Sequence, residues 1–128
     1  GIRSPCPEDV RNYVKNNEKI TSFHTFADLE EIYDHILKLK NIPTYITFDI
    51  DVLEPSYIGN GTGTPEPFGL TPKEVLMLLS RIIMTKSKYI KGFDIVEVSD
   101  DSSKLSAQMA ANIIWKYIAF HMNILRFI

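Results

Sequence analysis

The chain has a single cysteine, Cys6, among its 128 residues. No disulfide can close within it, and a reducing, cytoplasmic setting is the expectation. Cys6 lies between Pro5 and Pro7, in an expected loop, and no chemistry is assigned to it. Neither sign of charge dominates: 14 Lys and Arg stand against 16 Asp and Glu, a net charge of −2. The basic residues form no stripe and do not interleave with aromatics, so neither nucleic acid nor a membrane surface is expected as a partner. No apolar run reaches the roughly 20 residues that span a bilayer, and no signal-peptide pattern opens the chain. Repeats, low-complexity tracts and linkers are absent. What is present is ordinary for one globular domain with a real core: 45% hydrophobic and 23% charged residues. The chain starts at Gly1 rather than Met, and sequence upstream of it is expected on that ground.

The hydrophobic pattern alternates helices and strands. A short polar helix is expected over Pro7 to Asn16 and a short strand over Ile20 to His24. In "TFADLEEIYDHILKLK", Phe26, Leu29, Ile32, Tyr33, Ile36 and Leu37 recur at helical spacing, with Thr25 and Asp28 as an N-terminal capping pair. "TYITFDI" follows as a β-rich strand. Thr71-Pro72-Lys73-Glu74 combines a cap, a proline suited to the first turn and a capping-box glutamate, and it predicts a helix from Pro72 to about Thr85. "YIKGFDIVEV", Tyr89 to Val98, reads as a second strong strand. A last helix from about Ser106 is apolar on most faces, which requires deep burial or a neighbouring subunit. Strands separated by helices give an α/β fold with a mainly parallel sheet and helices on both faces, three layers in all. Ligands in such sheets bind beyond the carboxyl ends of the strands.

Two like charges, Asp49 and Asp51, close the apolar strand. In an extended strand both point to one face, about 7 Å apart at Cα, while Phe48 and Ile50 point into packing. Two partly buried carboxylates resist ionisation unless a cation sits beside them, and hard oxygen donors favour Mg²⁺, Ca²⁺ or Mn²⁺. The competing reading makes them solvated caps at the strand end. The next stretch, "GNGTGTPEPFGLT" from Gly59 to Thr71, is rich in glycine and ends at a capped helix, so an ordered loop over the strand ends is expected. It is no phosphate-binding P-loop, because no Gly-Lys-Ser/Thr follows. The second strand then ends in a carboxylate of its own, Glu97; Ile95 shares its face, and Asp94, Val96 and Val98 share the other.

Together, "TFDIDVLEPSY", "GTGTPEPFGLT" and "GFDIVEV" resemble the ureohydrolase family of arginases, agmatinases and formimidoylglutamases, and the "TGTPEP" loop looks most like the agmatinase branch. "GIRS" at residues 1 to 4 is similar to the strand end and turn upstream of this motif in agmatinase-like proteins, and "SAQMAANIIWKYI" looks like their last helix. The resemblance implies a binuclear Mn²⁺ centre at the C-terminal edge of a parallel sheet, where a metal-activated hydroxide attacks a guanidinium carbon and urea leaves. It implies Asp49 and Asp51 as metal ligands, with Asp51 also placed to hydrogen-bond the hydroxide. It implies Glu97 as the residue holding the substrate guanidinium, and Thr62 and Thr64 as shapers of the loop, Thr64 touching substrate. Agmatine is the first substrate to expect, a reaction belonging to polyamine biosynthesis. Family members commonly form trimers or hexamers, so a homo-oligomer is implied as well.

This sequence departs from the family pattern at several places. Thr47 stands where serine is usual, Glu54 where aspartate precedes Pro55, and Phe68 where glycine is usual. "SYIGNGTGT" runs one residue longer than usual and lacks the customary proline, and "SDDSSK" replaces the usual run after "VEV". The family's upstream Gly-Gly-Asp-His and Asp-x-His-x-Asp segments are not in this sequence. Of its three histidines, His35 and His121 lie on expected helices and are expected to be structural or surface residues, while His24 ends the expected short strand within reach of the site and is expected not to be a ligand. Residues 1–128 therefore resemble the C-terminal portion of one ureohydrolase-like domain, inactive by itself. Two alternatives remain open. A strand ending in Asp-x-Asp is also similar to the nucleophile motif of Mg²⁺-dependent haloacid-dehalogenase-type phosphatases, although Leu53 stands where Thr or Val is usual and Asp100-Asp101 is a poor second acidic motif. The other alternative is a non-catalytic module kept for assembly.

Overall fold

The computed structural model describes residue 3 and residues 5–23, 28–39 and 41–122. The elements run α1 (Glu8–Lys15), α2 (Leu29–Lys38), β1 (Thr44–Asp49), α3 (Pro55–Ile58), α4 (Pro72–Lys86), β2 (Ile90–Val96) and α5 (Leu105–His121), with single 3-10 turns at Ile50–Val52 and Ser87–Tyr89. The α/β class and the parallel pairing of the strands are as expected, with Thr47 opposite Asp94 and Asp49 opposite Val96.

Local chemistry explains where the helices begin. At α4 the Glu74 amide donates to Thr71 Oγ1 at 3.3 Å and the Thr71 amide donates to the Glu74 carboxylate at 2.7 Å, closing the capping box with Pro72 in the first turn. Those hydrogen bonds from Thr71 hold the Glu74 carboxyl below its ordinary 4.5. At α2 the expected cap residue Asp28 caps the helix, and the Thr25 half of the expected pair lies outside the described residues. Asp28 accepts from the Glu30 amide at 3.0 Å, and the helix starts at Leu29. A short carboxylate is by itself a strong N-cap acceptor. Thr25, Phe26 and His24 lie outside the described residues. The strand expected from Ile20 is not formed over residues 20–23, which are irregular. No described strand offers a ladder to that segment, and an unpaired strand leaves its backbone groups to solvent.

The strands set two faces. Ile46, Phe48, Phe93 and Ile95 point to one side, where α4 and α5 cover them. Phe48 packs in a cluster with Ile50, Leu53, Ile58, Val75, Leu79, Ala110 and Ile113. Ile46 packs against a second cluster of Ile83, Ile90 and Phe120, and the Phe93 ring stacks on Tyr117 with centroids 4.1 Å apart. On the opposite face Tyr45 and Thr47 are exposed among the described residues. Tyr45 lies across Gly92, where a Cβ would collide with its ring, and donates its hydroxyl to Asp94 Oδ2 at 2.8 Å. That bond raises the tyrosine's pKa. The apolar last helix divides its residues: Ser106, Ala110, Ile113, Ala119 and Phe120 are buried, whereas Ile114, Trp115 and Ile118, with Met122 just past its end, are exposed.

Three side chains just after β1 fix the segment that matters for function. Ile50, Leu53 and Ile58 are all 0% exposed, and each such burial stabilises by about 1.5–3 kcal/mol. Asp51 and Val52 are thereby suspended between anchors in the core.

Candidate metal centre

The pleat does not place Asp51. β1 stops at Asp49, and Ile50–Val52 turns away as a 3-10 helix, so strand alternation cannot align the two carboxylates as the sequence pattern implies. The cause is local: the Asp51 amide donates to Asp49 Oδ1 at 2.9 Å, a side-chain turn that competes with strand pairing. Phe48 and Ile50 do point into the core as expected. Asp49 and Asp51 are both half-buried.

Asp51 Oδ1 is buried and has no hydrogen-bond partner among the described residues. A buried carboxylate oxygen without a donor is costly, and a cation or an incoming proton donor removes that cost. These hard oxygens fit part of a site for Mg²⁺ or Mn²⁺. They do not make a whole one: among the described residues no three His, Cys, Asp or Glu side chains converge to hold a metal. His35 meets the Phe23 ring edge-on at 5.4 Å, and His121 stacks on Tyr117 at 5.9 Å, which accords with structural roles for both.

The glycine-rich loop is held at both ends. At its start the Ser99 amide, just past β2, donates to the Gly61 carbonyl at 2.9 Å. At its end Leu70 bridges Leu53, with Glu54 N to Leu70 O at 2.9 Å and Leu70 N to Val52 O at 2.7 Å. Glu54, the residue that replaces aspartate, accepts from the Gly69 amide at 2.9 Å. Gly69 is required there, because a Cβ would collide with the backbone of Leu53 and Glu54. Thr62 is buried and its hydroxyl oxygen accepts from the Thr64 amide at 3.3 Å, whereas Thr64 itself is exposed. The loop thus joins the carboxyl ends of both strands, an ordered shape as expected.

Glu97 follows Val96, the register partner of Asp49. β2 ends at Val96, and Glu97 has φ of +61°, so it does not continue the strand face of Ile95. Left-handed backbone costs a residue with a Cβ about 1–2 kcal/mol and persists where surrounding structure enforces it. Here the Ser99–Gly61 bond lies two residues downstream and fixes the exit from the strand. Glu97 is exposed at that corner. The strand pairing sets the carboxyl ends of β1 and β2 side by side, with Asp49 and Asp51 at one and Glu97 after the other, and the Ser99–Gly61 bond ties the start of the loop, next to Thr62, to that edge.

Two features of this region were not legible in the sequence. The Asp49–Asp51 turn hides behind an uninterrupted β pattern. Asp94, whose Oδ1 is buried without a partner among the described residues while Oδ2 accepts from Tyr45, reads from sequence as one more strand residue.

A family model described as the arginase family matches residues 1–119. An agmatinase of Bacillus subtilis is 37% identical over 116 residues, covering 89% of this chain and 38% of the relative. The human mitochondrial guanidino acid hydrolase is 42% identical over 78 residues, covering 59% of this chain and 21% of the relative. The crystal structure of the agmatine ureohydrolase of Thermoplasma volcanium superposes with a TM-score of 0.69 at 27% identity, over 87% of this chain and 39% of that one. These 128 residues span well under half the length of the relatives they match.

Proposed function

The chain belongs to the arginase family, and from that premise we propose that it contributes Asp49, Asp51 and Glu97 to a Mn²⁺-dependent centre that hydrolyses a guanidino compound, agmatine first among the candidates, to urea and an amine. The observation that carries this reading is the buried Asp51 Oδ1 at the C-terminal edge of the sheet, without a partner among the described residues. The phosphatase alternative is not favoured beside the family match, and it gives the glycine–threonine loop no role.

A guanidinium carbon is a poor electrophile, so the reaction needs a strong nucleophile. Bound Mn²⁺ supplies Lewis acidity, which lowers the pKa of water toward neutrality. Asp49 and Asp51 would hold the metal. Asp51 would also accept a hydrogen bond from the attacking hydroxide and so orient it. Glu97 would pair with the substrate guanidinium, whose planar fork of donors matches a carboxylate. The Thr64 hydroxyl, exposed on the loop, would contact the substrate beside it.

Two carboxylates do not complete a binuclear site, so in this reading residues 1–128 are the C-terminal portion of one domain and the remaining ligands come from outside them. The isolated chain is then inactive. Exposed Ile114, Trp115 and Ile118 on α5, with Met122 just past its end, support a homo-oligomer, a trimer or hexamer, once the domain is complete. A cytoplasmic setting belongs to this reading, and the lone Cys6 accords with a reducing compartment.

The test is urea release by the chain completed with the upstream part of a ureohydrolase, across agmatine, arginine and guanidino acids, with and without Mn²⁺. Mn²⁺-dependent release, fastest on agmatine and lost in Glu97→Gln, is the expected outcome. No release on any guanidino compound would overturn the proposal. Preference for a guanidino acid would keep the chemistry and change the substrate.

A further inference from the structure

We propose that Arg3 is the positioning residue of this edge, a clamp that fixes the turn carrying Asp51 against the middle of the glycine–threonine loop. Its guanidinium donates through Nη2 to the Asp51 carbonyl and through Nη1 to the Glu66 carbonyl. The two bonds cross 48 and 63 residues of sequence, and Arg3 is half-buried where it makes them.

The need for such a clamp follows from how the loop is held. Its ends are tied by the Ser99–Gly61 and Leu53–Leu70 pairings, but both lie outside Gly63–Pro67. Within that middle stretch, among the described residues, Thr64 bonds only back to Thr62, which is part of the same loop. The Arg3 bond to Glu66 connects it to the rest of the molecule. Asp51 shows the complementary arrangement: its amide is tied to Asp49 Oδ1 at 2.9 Å, and its carbonyl is tied to Arg3. With both sides of the residue held, its backbone, and so the direction in which its side chain leaves the chain, is set before any ligand arrives. Arginine suits this task because two nitrogens of one rigid plane reach two acceptors at once; lysine has a single nitrogen to offer. Bonds from a permanent cation to carbonyls are also stronger than neutral ones.

The clamp rests on the hydrogen bonds themselves; only its consequence for metal rests on the ureohydrolase reading. Hydrogen exchange on the full 128-residue chain tests it, comparing Arg3→Met and Arg3→Lys with the parent. In Arg3→Met, exchange at residues 50–53 and at the amides of Gly63, Thr64 and Glu66 is expected to quicken by roughly tenfold, the scale of a lost charged hydrogen bond, while β1, β2 and α4 keep their protection. In Arg3→Lys one of the two segments is expected to loosen and the other to stay protected. Unchanged exchange in both segments, or equal acceleration throughout the chain, would overturn the clamp; should the Met variant not fold, the Lys variant is judged by the same criteria. In the completed enzyme Arg3→Met is expected to weaken Mn²⁺ binding, read by equilibrium dialysis. Loosened segments with unaltered Mn²⁺ binding would uphold the clamp and count against the metal reading instead.

Discussion

The carboxylate of Asp49 accepts the amide of Asp51 at 2.9 Å, so the first aspartate builds the turn that presents the second. This gives Asp49 two separable duties. Asp49→Asn keeps an Oδ1 acceptor and loses the charge; Asp49→Ala loses both. Denaturant unfolding is expected to show Asp49→Ala less stable by about 1 kcal/mol and Asp49→Asn within about 0.5 kcal/mol of the parent. Equal losses in the two variants would mean that the turn bond contributes nothing.

Phe68 stands where the family usually has glycine, and its φ is +66° with 74% of the residue exposed. The ring has little packing to lose, while the Cβ strains the backbone. Phe68→Gly should raise stability by about 0.5–1 kcal/mol, after the greater freedom of glycine in the unfolded chain is subtracted. A fall in the unfolding midpoint would show that Phe68 is held there by contacts worth more than its strain.

The capping box of α4 predicts both a magnitude and a pH dependence. Thr71→Ala should destabilise by about 1 kcal/mol. The Glu74 carboxyl titrates below its ordinary 4.5 in the folded chain, chiefly because it accepts the Thr71 amide. Its contribution is therefore fully present above the unfolded value and is lost as pH falls through the depressed folded one. The stability gap between the parent and Glu74→Gln should hold constant from pH 7 to about 5 and close below about 4.5. A gap independent of pH would place the effect elsewhere.

Gly69 touches the backbone of Leu53 and Glu54 with no room for a Cβ. Gly69→Ala must push the loop off the end of β1, at a cost of about 1–3 kcal/mol. Limited proteolysis between residues 62 and 70 should quicken in that variant. Unchanged cleavage and stability would show that the loop end is looser than its hydrogen bonds imply.

The sequence disclosed what local chemistry dictates. Thr71, Pro72 and Glu74 announce α4 because cap and box are a pattern of adjacent residues, and the alternation through Phe48 and through Phe93 and Ile95 announces the covered face of each strand. The loop between Gly59 and Thr71 was legible as ordered from its prolines and the cap behind it. The failures lie where side chains redirect the backbone. Asp49 bends the chain out of β1 and Glu97 adopts positive φ after β2, and strand periodicity carries no trace of either. The Arg3 bonds to Asp51 and Glu66 join residues far apart in the chain, which no local pattern encodes.

Metal content tests the central claim most directly. In the chain completed with the upstream part of a ureohydrolase, Mn²⁺ per chain after exhaustive dialysis should approach two, the binuclear complement. Asp51→Ala and Asp49→Ala should each lower it by about one or more, with the fold retained by circular dichroism. Full Mn²⁺ content in both variants would contradict the account, and would leave the two aspartates as builders of a turn and nothing else.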